Sequence, residues 1–158
     1  MDTFDHANAG KPLRVLIVED REEDLVLLLH ELAAGGYQVS YQHVDNVVGL
    51  EAALPATDWD IVISDFSLPA TTALEVLKVL SRRAPDLPCI VMSGTIAEES
   101  AVEVLRGGAR DFIVKDRMTR LLPAIERELA EAKERAAAER PKRRWKTRGC
   151  ECSSPSTR

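Results

Sequence analysis

The chain has 158 residues, 45% hydrophobic and 30% charged, the size and balance of one globular domain and too short for two good cores. Net charge is −5, yet residues 141–158 hold six basic side chains and one acid, a local +5 that leaves −10 over residues 1–140 and argues against nucleic-acid binding by the globular part. No apolar run nears the ~20 residues of a membrane span, the N-terminal MDTFDHANAGK lacks the apolar stretch of a signal peptide, and three cysteines (Cys89, Cys150, Cys152) without framework spacing fit a reducing compartment, which together predict a cytoplasmic protein.

Residues 13–18 (LRVLIV) form a continuous β-prone run, as in a strand buried on both faces. Residues 22–34 then place Leu25, Leu28, Leu29 and Leu32 at helical spacing, and Gly35-Gly36 stops the helix. Residues 37–44 alternate as a strand near the sheet edge does, and 46–54 predict a short helix ended by Pro55. Residues 60–64 (DIVIS) predict a third strand, followed by a loop with Pro69. A helix over 73–83 turns Leu74, Leu77 and Leu80 inward, and residues 88–92 (PCIVM) predict a fourth strand. A helix over 98–106 ends at Gly107-Gly108, and residues 111–114 predict a fifth strand.

A long final helix runs from about residue 119 to 140, with a stripe of Leu122, Ile125, Leu129, Ala132 and Ala136. This alternation predicts an α/β fold, a five-stranded parallel sheet with helices on both faces. The organisation expected is a disordered N-terminus at 1–11, one domain at 12–130, an extension of the final helix at 131–140 and a basic disordered tail at 141–158.

Each candidate polar residue lies just past the carboxyl end of a predicted strand: Glu19 and Asp20, then Asp65, Ser93 and Lys115. In an open α/β sheet this is the ligand-binding edge. If the first and third strands are neighbours, three carboxylates share one crevice and stay ionised only beside a cation. An all-oxygen set suits Mg²⁺. Phosphoryl transfer needs positioning and charge stabilisation above all. Asp65 is the candidate nucleophile, Lys115 a point charge for phosphoryl oxygens and Ser93 a hydroxyl donor. Each also has a plainer reading: Glu19-Asp20 and Ser93 as helix caps, Asp65 as a turn former, Lys115 as a solvated charge. His6, His30 and His43 match no site pattern.

The motifs VED (18–20), SDFSLP (64–69), MSGT (92–95) and GARDFIVKD (108–116) resemble those of receiver (response-regulator) domains of two-component systems, over about residues 12–130. The resemblance implies a flavodoxin-like doubly wound sheet of order 2-1-3-4-5. It implies Asp65 as phosphoacceptor, Asp20 as direct metal ligand, Glu19 acting mainly through metal-bound water and the Ser67 carbonyl as a third protein ligand. Ser93 and Lys115 would bind the phosphoryl group, and Phe112 would rotate as Ser93 moves. Ser67 and Thr95 would tune dephosphorylation. Two departures stand out. Ala73 replaces the usual Gly, and Asp116 follows the Lys where Pro is frequent, so a trans bond is expected there.

The function expected is a phosphoacceptor taking a phosphoryl group from a histidine kinase or phosphotransfer protein, an enzyme only in catalysing its own phosphorylation and dephosphorylation. A switching face of helix four, strand five and helix five would serve a partner or a second copy. The alternatives are a non-phosphorylated protein-binding module of the same fold, the receiver segment of a larger sensor kinase, and an aspartyl-nucleophile hydrolase. Against the hydrolase, Ser67 stands where such phosphatases usually offer a second acid.

Overall fold

The computed structural model describes residues 10–69, 71–95 and 98–156, with side chains described through residue 138. Five strands, β1 (Lys11–Val18), β2 (Tyr37–Val44), β3 (Ile61–Asp65), β4 (Cys89–Ser93) and β5 (Asp111–Val114), alternate with α1 (Glu22–Ala34), α2 (Val47–Ala53), α3 (Ala73–Arg83), α4 (Glu98–Arg106) and α5 (Leu121–Ser156). All strand pairs are parallel and the order is β2-β1-β3-β4-β5, as the resemblance implied.

The two-residue period of a strand divides the core. Leu13, Val15 and Ile17 of β1, with Ile61, Ile63, Ile90, Met92 and Ile113, face one side, where Leu25, Leu28 and Leu32 of α1 and Leu121, Ala124 and Ile125 of α5 cover them. The intervening Leu16 and Val18, with Val62, Cys89 and Val91, face the other side, under Leu50 of α2, Val76, Leu77 and Leu80 of α3 and Val104 of α4. Each fully buried aliphatic side chain contributes about 1.5–3 kcal/mol. Together they outweigh the several kcal/mol per charge that the carboxyl edge costs by desolvation.

Local chemistry sets the element ends. Asn46 caps α2 by accepting from the Gly49 N–H at 2.7 Å. Thr72 and Glu75 form a reciprocal capping box at the start of α3, and Ala73, where the family usually has Gly, buries its methyl in the core. Gly36 (φ +93°) and Gly108 (φ +116°) take the left-handed conformation that turns the chain from a helix into the next strand.

Several boundaries differ from the sequence reading. β1 begins at Lys11, two residues before the β-prone run at 13–18, because Lys11 pairs with Tyr37 and its N–H reaches the Gly36 carbonyl at 3.0 Å. Residues 1–9 of the expected N-terminal segment lie outside the described residues. Pro55 does not simply end a helix: it enters a 3-10 turn over Leu54–Ala56, where its missing N–H costs nothing.

A second 3-10 segment, Lys115–Arg120, precedes the final helix. The buried stripe of that helix is Leu121, Ala124, Ile125 and Glu128, with Leu122 and Leu129 only partly covered. Glu128, 3% exposed, is an acid on the buried face of the helix, three residues after Ile125 and seven after Leu121. It lies 3.9 Å from Arg110 and 3.2 Å from Arg127. Helical backbone continues from Leu121 to Ser156, through residues 141–156 of the segment expected as a basic tail.

Candidate functional site

Parallel pairing in this order aligns the strand tips that carry the candidate residues. Val18 is opposite Ser64, Asp65 opposite Met92, and Ser93 opposite Val114, so Glu19, Asp65, Ser93 and Lys115 stand along one edge. Glu19 and Asp65 are 6% and 8% exposed and Ser93 6%, whereas Asp20 is exposed. Carboxylate oxygens of Glu19, Asp20 and Asp65 lie within 4.8 Å of one another.

Lys115 reaches across this cluster. Its Nζ is 3.1 Å from Asp65 Oδ1, 3.2 Å from Glu19 Oε1 and 2.6 Å from Asp24 Oδ2. No cis peptide bond occurs among the described residues, so Lys115 attains this position from a trans bond to Asp116. A pocket of about 140 Å³ opens here, lined by Glu19, Asp24, Asp65 and Lys115 and by Leu27 and Met118.

The electrostatics are unbalanced. Burial first, and Asp65 second, raise the Glu19 carboxyl above the ordinary carboxylate range, against the lowering effect of Lys115. Asp65 is also raised, by burial first and by Asp20, and the Lys115 ammonium offsets this only in part. Burial works to lower Lys115. The hydrogen bond to Asp24, then the charge of Asp65, prevails and holds the ammonium above its usual value. One cation thus serves several crowded carboxylates. The cluster offers hard oxygen donors in excess of the positive charge present, and this donor set fits a hard divalent cation.

The remaining expected residues lie around this centre. The Ser93 hydroxyl accepts the Thr95 N–H at 3.3 Å, a turn of its own. Ser67 and Thr95 are exposed; Ser67 follows Asp65 on a loop pinned by a bridge to Thr72. Phe112 is half-buried and meets Phe66 edge-to-face, with ring centroids 6.1 Å apart at 71°.

Sequence reasoning missed three participants. Asp24 pairs with Lys115, Phe66 packs on Phe112, and His43 Nε2 donates to the Glu19 carbonyl. An acid in a first helical turn has a sufficient reason in the helix dipole, so nothing singled out Asp24. Its spacing was the available signal, one turn before Leu28 on the same face.

A parallel doubly wound sheet with a lysine-capped acidic cluster at the carboxyl edge defines a class, and the comparisons agree with it. The response regulator receiver domain family matches residues 15–126, and the chain belongs to that family. It is similar to the DNA-binding transcriptional regulator NtrC of Rhizobium meliloti, 31% identical over 122 residues that make up 77% of this chain and 25% of the relative. The response regulator protein FleR of Pseudomonas aeruginosa is 35% identical over 105 residues, 65% of this chain and 21% of FleR. Among solved structures, NtrX from Brucella abortus superposes with a TM-score of 0.71 at 26% identity, over 80% of this chain and 28% of that one. The chain therefore spans about a quarter of the length of these relatives. No helix among the described residues is long and apolar enough to cross a membrane.

Proposed function

We propose that this chain is a cytoplasmic phosphoacceptor receiver that takes a phosphoryl group onto Asp65 from a phosphohistidine on a histidine kinase or phosphotransfer protein. The observation that carries this reading is the cluster of Asp65 with Glu19 and Asp20, their carboxylate oxygens within 4.8 Å of one another, and an ammonium 3.1 Å from Asp65 Oδ1. An Asp65 oxygen attacks phosphorus, the phosphorus–nitrogen bond breaks, and the departing imidazole keeps the bonding pair and is protonated. Lys115 and Ser93 bind the phosphoryl oxygens, as charge and as hydroxyl donor. Glu19, Asp20, Asp65 and the Ser67 carbonyl would hold Mg²⁺. When bound, the cation supplies charge neutralisation between carboxylate and phosphoryl oxygens.

The rest of the reading concerns output. Ser67 and Thr95, exposed beside the pocket, tune access of water to the acyl phosphate. As Ser93 turns toward the phosphoryl group, Phe112 rotates against Phe66 and remodels the α4–β5–α5 face. That face exposes Val102 and Leu105 on α4, which suits a second copy or a partner protein. Phe112→Ala should leave phosphorylation intact and remove phosphorylation-dependent association in sedimentation; normal association in that variant counts against the switch. The alternative of a non-phosphorylated binding module is disfavoured by the intact acid and lysine set. A receiver segment within a larger sensor kinase is compatible with the same site.

The test is incubation with acetyl phosphate, read by intact mass. The expected result is one phosphate adduct with Mg²⁺, none with EDTA and none in Asp65→Asn. An adduct unaffected by either change would refute the proposal.

A further inference from the structure

The lysine that faces the nucleophile has a partner that the phosphoacceptor chemistry does not use. Lys115 carries three N–H donors and meets three carboxylates, of which Asp24 is the nearest at 2.6 Å. Asp24 is not among the acids whose oxygens lie within reach of one another; that cluster is Glu19, Asp20 and Asp65. It approaches from a different element, the first turn of α1, and its side chain is 22% exposed, with Arg21 Nε 3.9 Å away. Asp24 is therefore the one contact of Lys115 that a cation in the cluster leaves available.

This matters because an ammonium and a divalent cation compete for the same carboxylates. Lys115 touches two of the three acids that would hold the metal. An ammonium without another counterion would settle on Glu19 and Asp65, screen them and repel an entering cation at short range. Here the ammonium lies on all three acids at once, and the carboxylate on the α1 side is the one that can keep it in the pocket when a cation takes the other two.

We propose that Asp24 is a positioning residue for Lys115, the carboxylate on which its ammonium stays when a divalent cation takes Glu19 and Asp65, so that Lys115 remains poised for the phosphoryl group. The inference rests on the phosphoacceptor reading and adds to it a role for a residue outside the metal and phosphoryl sites. It is specific in one respect: Asp24 acts through Lys115 and not as one more negative charge near the cluster.

The experiment is a double-mutant cycle on the full chain, with Mg²⁺ binding measured by titration calorimetry. Asp24→Asn should raise the Mg²⁺ dissociation constant about tenfold, a coupling within the usual range for contacting residues. In a Lys115→Met background the same substitution should change it less than about twofold, since there is no ammonium left to hold. Asp24→Glu keeps the charge and should stay close to wild type, and thermal melts of each variant register any loss of fold. A loss of affinity of equal size in both backgrounds overturns the proposal, as does no loss in either. If wild type binds Mg²⁺ and takes up phosphate while the cycle shows no coupling, only the positioning role fails. If wild type does neither, the phosphoacceptor reading fails and this inference falls with it.

Discussion

The two ends of the sheet carry charge in opposite ways. At the carboxyl end, Glu19 and Asp65 are under a tenth exposed and crowd one ammonium. At the amino end, Asp60 meets Arg14 at 3.4 Å, with side chains 28% and 44% exposed, and also accepts the Arg14 backbone N–H at 2.8 Å. A groove of about 1100 Å³, lined in part by Pro12, Trp59, Leu87 and Leu129, lies beside that pair. The same alternation of strands and helices builds both ends. The amino end buries one acid, Glu128, beside Arg110, whereas only the carboxyl end crowds several acids around one ammonium. Burial of unbalanced carboxylates costs stability, and the crowded end is the one at which the proposed cation and phosphoryl group would be received.

The sharpest break in the comparison is chemical. Lys115→Met should slow phosphate uptake from acetyl phosphate by about 10²-fold, the usual cost of one preorganised charge donor, measured by the time course of the mass adduct. Next comes ligand-linked stability. Mg²⁺ at a hundred times its dissociation constant should stabilise the wild-type fold by about 2.7 kcal/mol in urea melts, and should do far less for Asp65→Asn. Smaller again is the relief of crowding. Asp65→Asn, assayed without metal, should stabilise the fold by about 0.5–2 kcal/mol, as substitutions at strained functional sites commonly do.

That gain has a defined pH dependence. The folded state raises the Asp65 carboxyl above its ordinary 3.8 and so binds its proton more tightly than the unfolded chain does. The associated stability is fully present below 3.8 and is lost as pH rises through the folded value. The advantage of Asp65→Asn should therefore be largest near neutrality and vanish in strong acid; a constant advantage across pH would show that crowding is not its cause. At the other end, Asp60→Asn should cost no more than about 1 kcal/mol, as for a surface pair, and leave phosphate uptake unchanged.

How far the sequence alone reached follows the same division. Strand and helix bounds such as Glu22–Ala34 and Ala73–Arg83 were legible because aliphatic periodicity and Gly or Pro stops act locally. Glu19, Asp20, Asp65, Ser93 and Lys115 were legible because each sits at a strand tip, although their meeting depended on a strand order taken from resemblance. Asp24 and Glu128 were not singled out, although their spacing, four residues before Leu28 and three after Ile125, sets each beside a buried position. An acid at a helix start, or within a charged helix, already has a sufficient local reason, and packing brings it against a lysine or buries it.

The most direct test places the two ends in one assay. Wild type, Asp60→Asn and Asp65→Asn are each incubated with acetyl phosphate and Mg²⁺ and weighed intact. The account predicts one phosphate on wild type and on Asp60→Asn, and none on Asp65→Asn. Phosphate retained by Asp65→Asn, or absent from wild type, would contradict it.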